Sequence, residues 1–279
     1  MKVAAMAIRM VISMIYTSEI IQFNKFAKFH NGKNVFFCKT DYLLELFAAL
    51  RSYRVPSILI SGNSDYPITD ELVLKAPPCI KKWFSQCVNT DHPMMYGLPY
   101  GIDNHESYIR DGVCHGYGWA HVKEKLSLLS NFLNQAPSQK VYANFSLGTH
   151  PIRQEVCEIC ESSPHVTVKI SKNHEEANNK PYAKYLMDIA DHNMVVCPRG
   201  NAPAETHRFW EALYMNRVPI IKRNKGNSFF TELPVIVLKD WKQLADLEFL
   251  ESECEKVKNN SREMLKVSYW ENLIFNECR

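Results

Sequence analysis

Residues 194–221, MVVCPRGNAPAETHRFWEALYMNRVPII, constrain the fold more than any other part of this chain. An apolar run at 194–197 meets Pro198-Arg199-Gly200-Asn201. A segment of helical period follows (Phe209, Trp210, Leu213, Tyr214), then the β-branched run Val218-Pro219-Ile220-Ile221. The pattern predicts strand, glycine turn, helix, strand, with Trp210 in the core. Such a unit sets backbone N–H groups and the positive end of a helix at the carboxyl edge of a parallel sheet, where a phosphate can sit. Arg199, His207 and Arg208 stand at that turn, and two guanidiniums there can hold a diphosphate without a metal. Asn216 ends the helix and tolerates the left-handed conformation expected of a C-terminus.

The rest of the chain repeats this alternation. Strands are expected at 34–38, 57–60, 83–88 and 94–98. A helix at 42–53 presents Leu43, Leu44, Phe47 and Leu50 on one face. A second series starts at 141–145 and continues through a helix from Pro151, a strand at 166–170, a helix at 181–190, the motif unit and a strand at 235–238. Helices then close the chain. The stretch between, with its glycines, a helix at 122–133 and Ala136-Pro137-Ser138, is the natural linker. The organisation expected is an N-terminal acceptor-side domain at 1–125 with an amphipathic first helix, and a linker at 126–139. A nucleotide-sugar-binding domain at 140–262 and a helix at 263–279 crossing back complete it. The fold class is α/β: two Rossmann-like β/α/β domains facing a cleft.

Composition removes other classes. With 46% hydrophobic and 23% charged residues the chain is globular. A net charge of +3 without a dense basic block argues against nucleic acid. No segment reads as a membrane span, and the expected location is the cytoplasm. The nine cysteines lie in core-like runs, with Cys38, Cys87 and Cys197 in apparent strands, and read as reduced thiols. Cys157 and Cys160 form a lone pair at helical spacing, so no metal is assigned. The Gly-x-Gly-x-x-Gly fingerprint of a dinucleotide oxidoreductase is missing.

The turn and helix residues, Cys197-Pro-Arg-Gly-Asn201, Thr206-His-Arg-Phe-Trp-Glu-Ala-Leu213 and Val218-Pro-Ile-Ile221, resemble the donor-site signature of exostosin-like glycosyltransferases. Residues 58–65 (ILISGNSD), 83–86 (WFSQ) and 98–102 (LPYGI) are similar to that family's first domain, and the likeness spans roughly residues 35–245. The short length is similar to that of members encoded by large algal viruses. Asn216 departs from the glycine usual in the family. The resemblance implies a compact GT-B arrangement and transfer of a sugar from a UDP-sugar co-substrate to a glycan hydroxyl, with xylose favoured. It also assigns Glu211 to the ribose hydroxyls.

The residues supply a matching chemistry. The chain contains no Asp-x-Asp, the pattern that holds a divalent cation in one class of glycosyl transfer, so basic side chains and a helix dipole are expected to stabilise the diphosphate. Arg199, with Gly200 and Asn201, is the first choice for that role. Arg208 is unfavourable in a first helical turn on dipole grounds, which points to an anionic partner. Arg153, at a similar strand-to-helix junction, serves phosphate or structure equally well. Thr206 and Asn201 either cap the helix or touch phosphate. A catalytic base is expected from the first half. Asp65 is preferred, then Asp41, then Asp103 with His105, and each Asp could instead cap a helix. No cofactor is expected. A retaining transferase and a non-catalytic nucleotide-sugar or glycan-binding module remain as alternatives, and oligomeric state is open.

Overall fold

A computed structural model describes residues 18–103, 108–110, 113–115, 126, 129, 131–132, 135–173, 176 and 181–276. The expected first helix, most of the linker with its helix, and His105 lie outside the described residues. The fold is mixed α/β with two parallel sheets. The first consists of β1 (Val35–Lys39), β2 (Ser57–Gly62), β3 (Ile80–Ser85) and β4 (Met95–Gly97), in that order. Between them lie α1 (Leu43–Ala49) and α2 (Asp70–Leu74). A small antiparallel hairpin, β5 (Tyr108–Arg110) and β6 (Val113–His115), follows.

The second sheet is built from β7 (Gln139–Ala143), β8 (Val166–Val168), β9 (His192–Val196), β10 (Val218–Lys222) and β11 (Ile236–Leu238). The intervening helices are α3 (Ile152–Ser162), α4 (Tyr182–Asp191) and α5 (His207–Tyr214). After the sheet come α6 (Leu247–Val257) and α7 (Val267–Asn276). The strand order is β11-β10-β9-β7-β8. The chain therefore leaves β7 toward one side and returns on the other at β9, and the β7/β9 boundary is the switch point where open α/β sheets bind ligands.

A parallel sheet must be covered on both faces. Side-chain alternation divides the apolar residues into three layers. Leu59 and Trp83 face outward from the first sheet onto Phe47 and Val73. Val141, Ala143 and Val196 face outward from the second, onto Val156 and Leu250 of α3 and α6. Ile58, Ile60 and Phe84 of one sheet share a single cluster with Tyr142 and Val195 of the other, with Phe209, Trp210 and Leu213 of α5 inside it. Trp210 is fully buried. In α1, Leu43, Phe47 and Leu50 are buried at i, i+4, i+7, but Leu44 is 59% exposed. It lies beyond the narrow stripe that a seven-residue helix on a sheet edge can cover, a correction to the expected face. Cys87 and Cys197 likewise sit just past strand ends. All seven described cysteines are free thiols.

The first and last described segments are tied together. Helix α7 lies on residues 23–29, with Phe275 against Phe29 (ring centroids 5.7 Å apart) and Glu271 3.5 Å from Lys28. The buried Tyr214 hydroxyl accepts from Ile21 N–H (2.7 Å) and donates to the Leu265 carbonyl (2.8 Å). Helix α5 stops at Asn216, whose φ of 61° lets Arg217 N–H donate back to Ala212 O at 2.8 Å. Among the described residues no helix is long and apolar enough to cross a membrane. Tyr214→Phe leaves the Ile21 N–H and the Leu265 carbonyl unpaired, and urea denaturation should show a loss of about 1–3 kcal/mol. An unchanged midpoint would mean that the two ends are not joined through this hydroxyl.

Candidate functional site

Loops after strands of both sheets meet, with Asn201 at Asp65, Glu205 at Tyr100 and His207 at Gly101. From the first half come the loops after β2 (Asn63-Ser64-Asp65), β3 (Gln86-Cys87) and β4 (residues 98–103). Two non-glycine residues there, Asn63 (φ 56°) and Cys87 (φ 55°), adopt the left-handed conformation. Gln86 holds both loops, accepting from Asn63 N–H (2.7 Å) and donating to Pro99 O (3.0 Å). Strain of this kind concentrates at sites that need a fixed geometry.

From the second half come the loops after β7 and β9 and the start of α5. Arg153 is only 5% exposed and is spent on the backbone. It donates to Arg199 O (2.8 Å), Ser146 O (2.7 Å) and Pro198 O (3.4 Å), stitching the β7 and β9 loops across the switch point. Burial and the neighbouring Arg208 pull its pKa down to about 9, so it stays charged at neutral pH. Arg153 builds the loops, and its nitrogens are not left for a phosphate. Arg199 folds onto its own turn, donating to Gly200 O (3.2 Å) and Asn201 O (2.9 Å), and burial lowers its pKa. Gly200 has ordinary φ, and a Cβ there would meet Arg153 at 3.4 Å, so neither conformation nor space demands a glycine.

Arg208 differs. Its Nε and Nη1 are buried without any hydrogen-bond partner, as is Thr206 Oγ1 beside it at the helix N-cap. Ser146 Oγ and Thr149 Oγ1, after β7, are in the same condition. The Arg153 and Arg208 guanidiniums both lie over the Phe145 ring, at 5.8 and 5.9 Å. None of Arg153, Arg199 and Arg208 has an ion-pair partner among the described residues. Three cations without an ion-pair partner among the described residues, around a sheet switch point and a helix N-terminus, make this junction electropositive and the candidate place for an anion.

The other predicted residues fall into distinct places. Asn201 donates to Asp65 at 3.3 Å, joining the turn after β9 to the first half. Asp41 stands after the outer strand β1 and pairs with Lys39 (3.2 Å), away from this junction. Asp103 is buried, with its carboxylate 2.9 Å from His207 Nε2, while His207 Nδ1 lies 2.9 Å from Gly101 O. His207 thus ties the start of α5 to Gly101 and Asp103 of the first half. Glu211 is 3% exposed, and its two oxygens accept from Tyr182 and Tyr185, each at 2.7 Å. Burial and Glu211 hold both phenols well above their ordinary range. A ribose would have to share or displace these hydroxyls.

Glu205, just before Thr206-His-Arg208, was not singled out by the sequence, because nothing local marks it as buried. It is 4% exposed, and Oε1 accepts from Tyr100 N–H (2.9 Å) and the Trp210 indole (3.1 Å). Burial pushes its pKa up to about 7, against hydrogen bonds that pull it down. Among the described residues no group of three His, Cys, Asp or Glu is placed to hold a metal ion. Comparison with protein-family models and with curated proteins gives no match to this chain.

The raised pKa has a consequence for stability. A folded-state pKa above the unfolded value gives stability that is full below about 4.5 and is lost as pH rises through about 7. The shift corresponds to about 3 kcal/mol. Glu205→Gln keeps the acceptor oxygen and removes the charge, so it should raise stability by about 1–3 kcal/mol at pH 8 and change little at pH 4.5. Denaturation curves at the two pH values check this, and an equal effect at both would contradict a buried, titrating Glu205.

Proposed function

We propose that the chain is a metal-independent glycosyltransferase that moves a sugar from a UDP-sugar to a glycan hydroxyl with inversion, in a compact GT-B arrangement and in the cytoplasm. The observation that carries this reading is the trio of arginines without counter-ions at the β7/β9 switch point, with the buried, unpartnered nitrogens of Arg208 at its centre. A nucleoside diphosphate is the ligand class that two guanidiniums, a helix N-terminus and an N-cap hydroxyl recognise together. Xylose is the favoured sugar on the resemblance to exostosin-like enzymes.

In this mechanism Arg208, Arg199 and Thr206 bind the diphosphate and stabilise the charge that develops on it. Glu211 fixes Tyr182 and Tyr185, which offer an aromatic surface beside it for the base. Asp65 reaches the donor-edge turn through Asn201 and serves as base. Its carboxylate takes the proton of the acceptor hydroxyl while that oxygen attacks the anomeric carbon from the face opposite the diphosphate. The bond from that carbon to the β-phosphate oxygen breaks, and UDP leaves with the electron pair.

Calorimetry in EDTA should show UDP binding that Arg208→Gln weakens tenfold or more, about 1.4 kcal/mol at least. Asp65→Asn should retain UDP binding and lower transfer by about 100-fold. Absence of UDP binding in the folded wild type would remove the donor-site reading. Normal transfer by Asp65→Asn would move the role of base to Asp41 or to Asp103 with His105.

A further inference from the structure

The opposite, amino edge of the second sheet holds a separate cavity of about 550 Å³. Met194 in the middle of β9 and Val218 at the start of β10 form its apolar floor. Asn193, Asn216, Arg217 and Arg262 stand around it. A five-residue strand separates it from the donor edge, roughly 15 Å. Its size is that of a small-molecule site.

The electrostatics repeat the pattern of the donor edge. Arg217 is 5% exposed and donates to Asn216 O and Gln135 O, while its Nε is buried with no partner. Arg262 donates from Nε to Asn216 Oδ1 at 3.2 Å, while its Nη1 is buried with no partner. Neither arginine has a carboxylate partner among the described residues. The two glutamates on the wall are already neutralised, Glu251 by Lys140 and Glu255 by Lys258. Two half-used guanidiniums therefore remain without an ion-pair partner, Asp191 acting on Arg217 only at longer range, beside asparagine amides that can both donate to and accept from hydroxyls.

We propose that this cavity is a second ligand site, which takes a phosphorylated polyol of sugar size. Arg217 and Arg262 receive the phosphate and the asparagine amides receive the hydroxyls. Burial lowers the pKa of both arginines, which shows how far they are withdrawn from water that could otherwise serve them. Helix α5 connects the two sites: Arg208 lies in its first turn, and Asn216 and Arg217 follow its last. The proposal stands independently of the donor-site reading.

Calorimetry of the full chain with glucose 6-phosphate and with inorganic phosphate as probes tests it. Glucose 6-phosphate should bind about tenfold or more tightly than phosphate alone. Arg262→Gln should weaken it tenfold or more, as should Lys258→Gln on the rim to a smaller degree, and Arg208→Gln at the other edge should leave it unchanged. Arg217 is too deeply built in to be the first variant. Failure of both probes to bind at about 10 mM would overturn the proposal. So would binding that is lost in Arg208→Gln and kept in Arg262→Gln, since that places the anion at the donor edge. Equal affinity for the two probes would overturn the polyol assignment.

Discussion

The apolar layer between the two parallel sheets sets everything else in this molecule. Each sheet must bury both faces, and the inner face of each is buried against the other through α5, with Trp210 and Phe209 at the centre. That packing brings two sets of strand-end loops together and leaves polar groups no choice but to meet there. Asp65 then reaches Asn201, Glu205 reaches Tyr100, and His207 reaches both Gly101 and Asp103. A helix exposed on one side could have carried a plain amphipathic stripe. Instead α5 is buried nearly all round, so its polar residues are forced into specific pairings or left unsatisfied.

The unsatisfied ones carry the proposed function. A buried guanidinium nitrogen without an acceptor costs on the order of 1–3 kcal/mol, and more where the group is charged. Each such group calls for a physical explanation, and a bound anion is the one proposed here. Arg208 and Thr206 at one end of α5, and Arg217 with Arg262 beyond the other, meet that description. Arg153 is the contrast. It has the same charge and nearly the same position as Arg208, yet all three kinds of its nitrogen donate to carbonyls. Its hydrogen bonds go to the loops around the site.

The fold was legible where period and punctuation agree. Strand, turn, helix and strand at 194–221 follow from the apolar spacing, and Asn216 does take the left-handed conformation that a helix end asks for. Leu44 was not legible, because a stripe of 3.6 period cannot say how wide a contact a short helix makes. For the site, residue type located the charge but not its use. Arg199, Arg208 and Asp65 come from loops at one junction, while Asp41 stands in the turn after the outer strand. Sequence could not tell that Arg153 is consumed by backbone, that His207 clamps two halves, or that Glu211 is already paired with two tyrosines. Those facts depend on contacts across as many as 106 positions of the chain, as between His207 and Gly101. Glu205 was invisible for a related reason: its burial is imposed by Tyr100 from the other half, and nothing local marks it.

The central claim is that Arg208 and Thr206 lack acceptors because a diphosphate supplies them. A crystal structure of the chain soaked with UDP tests that directly. The account predicts diphosphate oxygens within hydrogen-bond distance of Arg208 Nε or Nη1 and of Thr206 Oγ1, with Arg153 still bound to its three carbonyls. UDP seated elsewhere, or an Arg208 that stays unpartnered with nucleotide bound, would contradict it.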